Sequence, residues 1–273
     1  MSNAVLRILT ALIGIPVVLG LTYLGGWPFA LLLLFAAVIA QLELYRLMEA
    51  GGLKPRKAAG LMIGTLVAVR ALVPLALPLA VVGALFLLAA SPFQREDRDP
   101  LSTLSATFFG ALYPAALLTF MVDLRFARGP AVGDQEAFYL TLTTLLLIWA
   151  TDTFAYYVGK GIGKHPLAPR VSPKKTWEGA IGGAAGAVLV AVVLKLTLLA
   201  FLPWPHLVVI ALICGVVSQL GDLAESKLKR SVDVKDSGTI LPGHGGLLDR
   251  FDALILAAPF VYLYLAYATD LFG

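Results

Sequence analysis

Nine long apolar runs divide the chain, at about 6–24, 28–48, 58–74, 76–91, 101–122, 137–159, 179–202, 206–225 and 251–270. Each has the length of a membrane-crossing helix, which needs about 20 apolar residues to match a hydrocarbon layer about 30 Å thick. The stretch from Leu61 to Ala90 could hold one kinked span or two short ones; Pro74 and Pro78 interrupt it. Proline removes a helix hydrogen bond and clashes with the preceding turn, so the pattern splits there. Most connections are short turns, as at Gly25-Gly26 and Pro203-Trp204-Pro205. Two are longer and rich in charge, at 160–178 and 226–250. The pattern predicts an all-α polytopic integral membrane protein with about nine transmembrane helices. It forms one membrane domain over 1–273, with plain N-terminal helices over 1–148 and the chemistry gathered in 149–273.

Composition agrees. Of 273 residues 59% are apolar and 14% charged, against about 25% charged in an ordinary soluble domain. Mean hydropathy is +0.86. One soluble core could not hide that much apolar surface, because its own exterior needs polar cover. A soluble enzyme, a disulfide scaffold and a disordered chain are therefore excluded. The single cysteine, Cys214, lies in an apolar run and reads as a small buried hydrophobe. Arg7 precedes the first run without a small-residue cleavage site, so that run is expected to be a span rather than a removable signal.

Charge placement sets the expected orientation. With the N-terminus inside and nine spans, all but four of the 21 Lys and Arg residues fall in inside segments. Arg125 and Arg128 fall outside, and Arg70 and Lys195 lie within spans, with no chemistry assigned to them. Lys and Arg gather in cytoplasmic loops, so the N-terminus and the loops 160–178 and 226–250 are expected in the cytoplasm and the C-terminus outside. Merging the third and fourth spans would put the first two basic loops opposite the last two.

Polar residues concentrate in three places. Gln219, Asp222, Glu225 or Ser226, and Lys229 share one helical face at the end of the eighth run. A carboxylate within a span costs about 2.5–3.5 kcal/mol on insertion scales, which makes Asp222 a functional candidate. The following segment, 235–252, brings Lys235, Asp236, His244, Gly245, Gly246, Asp249, Arg250 and Asp252 together. Glycines let backbone N–H groups approach an anion, and a helix N-terminus favours phosphate; Asp249 could also be a simple cap. The third cluster is Ser172-Pro173-Lys174-Lys175-Thr176-Trp177-Glu178-Gly179, whose lysines suit either a substrate phosphate or anionic headgroups. Upstream, Trp149, Asp152, Tyr156 and Lys160 form another single face. His165 and His206 lack partners at ligand spacing and read as loop residues. Common NTPase, serine-hydrolase and zinc motifs are absent.

The segment 226–252 resembles the signature of the phosphatidate cytidylyltransferase (CDP-diacylglycerol synthase) family. The matching positions are Ser226, Lys229, Arg230, Lys235, Asp236, Gly238, Pro242, His244, Gly245, Gly246, Asp249, Arg250 and Asp252. Residues 172–179 resemble a second stretch of the same family. The resemblance is dense over 149–252 and only architectural before that. It implies condensation of CTP with phosphatidate to CDP-diacylglycerol and pyrophosphate, with Mg²⁺ as cofactor and room for a second cation. It also implies the lipid bilayer of the cell inner membrane as surroundings, no nucleic-acid partner, and a homodimer. By the same resemblance Asp222 and Asp249 are first choices for metal ligands, followed by Asp152, Asp236 and Asp252. Lys229, Arg230 and His244 would act on the reacting phosphates; Ser172, Lys174, Lys175, Thr176, Lys227, Lys235, Asp236, Gly245, Gly246 and Arg250 would bind substrate. A CDP-alcohol phosphatidyltransferase is disfavoured because its Asp-rich motif is absent. A related lipid kinase and a transporter stay open as alternatives.

Overall fold

A computed structural model describes residues 3–94, 99–240 and 245–272, with side chains from Thr10 onward. His244, Arg95, Arg98 and Gly273 lie outside the described residues. The helices in chain order are α1 (Asn3–Leu24), α2 (Gly26–Ala50), α3 (Lys57–Ala68), α4 (Ala76–Ala90), α5 (Pro100–Ala111), α6 (Leu117–Phe126), α7 (Asp134–Ile162), α8 (Trp177–Thr197), α9 (Trp204–Leu212), α10 (Ser218–Arg230) and α11 (Leu248–Tyr267). A π turn at Leu112–Ala116 joins α5 and α6 into one rod, and another at Ile213–Val217 joins α9 and α10. Apolar runs in lipid have no water to bond their peptide groups, and the helix satisfies those groups internally. Among the described residues every expected run contains a helix.

The expected nine spans are met only in part. Among the described residues seven helices are long and apolar enough to cross a membrane. The third run is the exception: α3 has 12 residues, about 18 Å at 1.5 Å per residue, against a hydrocarbon layer of about 30 Å. Val69–Val73 are apolar but lie in turns, so hydropathy alone overextended this helix. The first run forms α1, a helix of 22 residues. A second correction is small: the 160–178 loop contains an antiparallel pair, β1 (Pro166–Ala168) and β2 (Ser172–Thr176), in an otherwise helical chain.

The chain packs as two compact units, Met1–Val122 with Leu228–Phe251, and Asp123–Lys227 with Asp252–Gly273. In the first unit Ile63, Val67, Ala80, Leu87, Leu104 and Ala111 form an apolar core. Beside it Tyr45, fully buried, donates to the Thr107 carbonyl at 2.7 Å and receives Gln41 Nε2 at 3.1 Å. Gly60 and Gly110 flank the tyrosine, where any Cβ would overlap its ring. Arg70, left unassigned by the sequence, stacks its guanidinium over Phe120 at 5.0 Å.

In the second unit α7 and α8 approach closely through Gly179, Gly182, Gly183 and Gly186, where added Cβ atoms would meet Ala155, Val158, Thr151 and Phe154. Small residues at such a seam are the usual means of close helix contact in lipid. The π turn before α10 frees carbonyls that side chains then occupy. Ser218 Oγ donates to Cys214 O, and Gln219 Nε2 to Gly215 O at 2.6 Å and Ala180 O at 3.0 Å. The extra residue of a π turn rotates everything after it, and so sets the direction of Asp222. Lys195 closes the end of α8 by donating to the carbonyls of Leu199, Ala200 and Leu202 at 2.7–3.1 Å. His206 is no loop residue: it lies in α9 with Nδ1 2.9 Å from Tyr264 Oη.

Candidate functional site

The second unit holds a cavity of about 580 Å³, within the usual range for small-ligand sites. Its polar lining is Asp152 and Lys160 from α7, Lys174, Lys175 and Thr176 from β2, and Gln219 and Asp222 from α10. Ala155, Gly159, Gly179 and Ala180 supply small walls. Three lysines against two aspartates leave this lining net positive, which suits an anionic ligand. Lys175 Nζ lies 2.5 Å from Asp222 Oδ2, and Ser226 Oγ donates to Asp222 Oδ1 at 3.3 Å. Both members of the ion pair are about a third exposed, at 29% and 32%. Pairs in such contact with solvent are worth little, about 0–1 kcal/mol, and exchange partners readily.

Local contacts hold this arrangement. Thr176 caps α8 by accepting from the Gly179 N–H at 3.1 Å. Glu178 accepts the N–H groups of Lys164 (3.1 Å) and His165 (3.2 Å) and lies 2.5 Å from His165 Nδ1. The Trp177 N–H donates to the His165 carbonyl at 2.9 Å. His165 therefore ties the end of α7 to the start of α8, and the β1–β2 hairpin between them is held at its base.

The first unit carries a second polar cluster. Asp249, buried in the first turn of α11, accepts Lys229 Nζ at 2.6 Å, the Ser237 N–H at 3.0–3.1 Å and the Gly246 N–H at 2.8 Å. Lys229 is also buried. Gly245 has φ +81°, and a Cβ there would fall 2.6 Å from Asp249 Oδ2, so both conformation and space require glycine. Nearby, Glu43 of α2 receives Ser237 Oγ at 3.1 Å and the N–H groups of Leu247 (3.1 Å) and Leu248 (2.8 Å).

The expected residues therefore fall into two groups. Asp152, Lys174, Lys175, Thr176 and Asp222 meet at the cavity; Lys229, Gly245, Gly246 and Asp249 meet in the first unit. Lys227, Lys235, Asp236 and Arg250 are exposed, and Arg230, also exposed, donates to the Val234 carbonyl at 2.6 Å. Asp252 is buried and accepts the Ala253 N–H at 2.7 Å. Ser172 sits in β2 outside the cavity lining. Sequence reasoning passed over Glu43 and Ser237. Glu43 carried a usable signal, an acid well inside an apolar run; Ser237 carried none beyond its place in a polar segment.

A family model described as the cytidylyltransferase family matches residues 5–268. The chain is 36% identical over 275 residues to a protein of Bacillus subtilis (strain 168) named phosphatidate cytidylyltransferase, covering 95% of this chain and 97% of that protein. Proteins of the same name from Brucella abortus (biovar 1, strain 9-941) and Synechocystis sp. are 35% and 33% identical. They cover 97% and 94% of this chain, and 94% and 95% of their own lengths. Likeness at this level, extending over both polar clusters and the plain N-terminal helices alike, means that the chain belongs to the cytidylyltransferase family.

Proposed function

We infer that the protein transfers a cytidylyl group from CTP to phosphatidate, giving CDP-diacylglycerol and pyrophosphate for phospholipid synthesis. The observation that carries this is the net-positive cavity with three lysines and two aspartates, in a chain whose near full-length relatives bear that activity in their names. A phosphatidate oxygen attacks the α-phosphorus of CTP, and the bond from that phosphorus to the bridging oxygen breaks as pyrophosphate leaves. Both reactants are anions, so the protein's task is mostly charge neutralisation and positioning. Lys160, Lys174 and Lys175 would receive phosphate oxygens. Phosphatidate is already ionised and needs no general base.

The donor set fits Mg²⁺. Among the described residues no three His, Cys, Asp or Glu side chains gather as a cage, while Asp152 and Asp222 share the cavity. Mg²⁺ is commonly held by one or two carboxylates with substrate phosphates and water completing its shell. Asp222 is the proposed first carboxylate and Asp152 the second; when bound, the ion would withdraw charge from the phosphate oxygens. Lys175 would then exchange Asp222 for an oxygen of the triphosphate. Asp249, a first choice by the resemblance, already accepts Lys229 Nζ and the Ser237 and Gly246 amides, and its substitution separates metal ligation from anchoring.

Pyrophosphate release in detergent should require CTP, phosphatidate and Mg²⁺ together. A lipid kinase would instead phosphorylate an alcohol without releasing pyrophosphate, and a transporter would show neither. Replacing both Lys174 and Lys175 by Gln should lower turnover at least tenfold in neutral detergent. Survival of activity there would make the pair a headgroup anchor only.

We also propose the expected orientation, with the 51–56, 160–178 and 226–250 loops in the cytoplasm and the C-terminus outside. Support comes from the first unit, where Gly51 packs against Val232 and Glu43 against Ser237, Leu247 and Leu248. The end of α2 and the start of α11 are thus on one side, so an even number of crossings separates them. With α5–α6, α7, α8 and α9–α10 as four crossings, α3 and α4 must either both cross or both turn back. Sidedness reporters placed after Gly273 and within 226–240 should give opposite signals; equal signals would refute the orientation. The homodimer rests on the resemblance alone.

A further inference from the structure

We propose that Glu43 is a positioning residue for the reaction: it holds Ser237, Leu247 and Leu248 and thereby the placement of Asp249 and the glycines beside it. Glu43 lies seven residues before the end of α2, in a helix that is apolar from Trp27 to Ala40, and is 2% exposed. An acid at such a place is costly and persists only with a partner and a purpose.

Its partners are specific. Oε2 accepts Ser237 Oγ and the Leu248 N–H, and Oε1 accepts the Leu247 N–H. Asp249 takes the complementary donors of the same backbone, the N–H groups of Ser237 and Gly246. Ser237 is therefore held from both sides, by its hydroxyl to Glu43 and its amide to Asp249. The two carboxylates hold Ser237 and residues 246–248 together, and α11 starts from that junction.

The glycines agree with this assignment. A Cβ on Gly238 or on Gly246 would overlap the Glu43 carboxylate. Both glycines thus pack directly on this side chain. A cap for α11 could come from its own first residues, as in most helices. Drawing it from a residue 205 positions away instead locks the loop to α2.

Because this role rests on the proposed cytidylyl transfer, wild-type pyrophosphate release is measured first and separately. Glu43→Gln keeps the shape but has one acceptor oxygen, and its NH₂ faces amides that also donate. In folded, monodisperse protein, kcat should fall at least tenfold while the KM for CTP stays within threefold. Amide exchange in peptides covering 245–250 should quicken at least tenfold, with peptides from 26–42 unchanged. Ser237→Ala, which removes one arm only, should lower kcat about threefold or more, and it serves if Glu43→Gln does not accumulate. A kcat per folded molecule within twofold of wild type in the variant measured would overturn the proposal and leave Glu43 a structural cap, whatever the exchange shows.

Discussion

Asp222→Asn should cut phosphatidate-dependent pyrophosphate release by about 10²-fold or more while leaving membrane content and melting behaviour close to wild type. The stability half follows from exposure. Asp222 and Lys175 are each about a third exposed, and such a pair contributes about 0–1 kcal/mol. Asn keeps an oxygen for the Ser226 hydroxyl, so the end of α10 has no reason to unravel. The activity half follows from charge. Losing one preorganised electrostatic group at a reacting phosphate typically costs about 10²–10³ in rate, and neutral Asn is a poor ligand for a hard cation. Turnover that recovers partly with more Mg²⁺ or with Mn²⁺ would identify the lost group as a ligand. Near wild-type turnover with unchanged Mg²⁺ dependence would sink the assignment.

The cavity was legible because its parts are local. Asp152 and Lys160 share one helical face, Lys174 and Lys175 are neighbours, and Asp222 ends an apolar run where a charge needs a reason. The 3.6-residue period and the cost of intramembrane charge are enough to single them out. What brings them together was not legible. The π turn at Ile213–Val217 that rotates Asp222 has no clear sequence code, and the partner of Gln219 beyond it, the Ala180 carbonyl, lies on a different helix. His165 looked idle because its partner, Glu178, lies across the hairpin.

The same contrast holds for the helices. Their order and helical character could be read from apolar runs because lipid forces each run to satisfy its own backbone, but the number of crossings could not: among the described residues seven helices have spanning length. The end of α3 could not, because Val69–Val73 have the composition of a span and the conformation of turns. Glu43 shows the other limit. Its charge was visible, but its partner Ser237 is 194 residues away, and no local pattern joins them.

Asp249→Asn carries the larger structural penalty, contrary to what capping alone would suggest. Asn is as good an N-cap as Asp, so a residue that only caps α11 would tolerate the change. Here the carboxylate accepts Lys229 and the amides of Ser237 and Gly246 with both oxygens. Its side chain and that of Lys229 are 4% and 10% exposed. Removing one member of a buried ion pair costs about 3–5 kcal/mol, because the other keeps its charge in a low-dielectric place. Asp249→Asn is therefore expected to melt well below wild type in detergent. Adding Lys229→Met should restore much of that loss, since both charges are then gone. The double variant also separates anchoring from metal ligation without relying on turnover. Mn²⁺ binding in the presence of CTP, followed by electron paramagnetic resonance, is compared between Lys229→Met and the double variant. If Asp249 is a ligand, the double variant binds at least about tenfold more weakly. Equal affinities would confine Asp249 to anchoring Lys229, Ser237 and Gly246 and leave Asp222 and Asp152 as the proposed carboxylates.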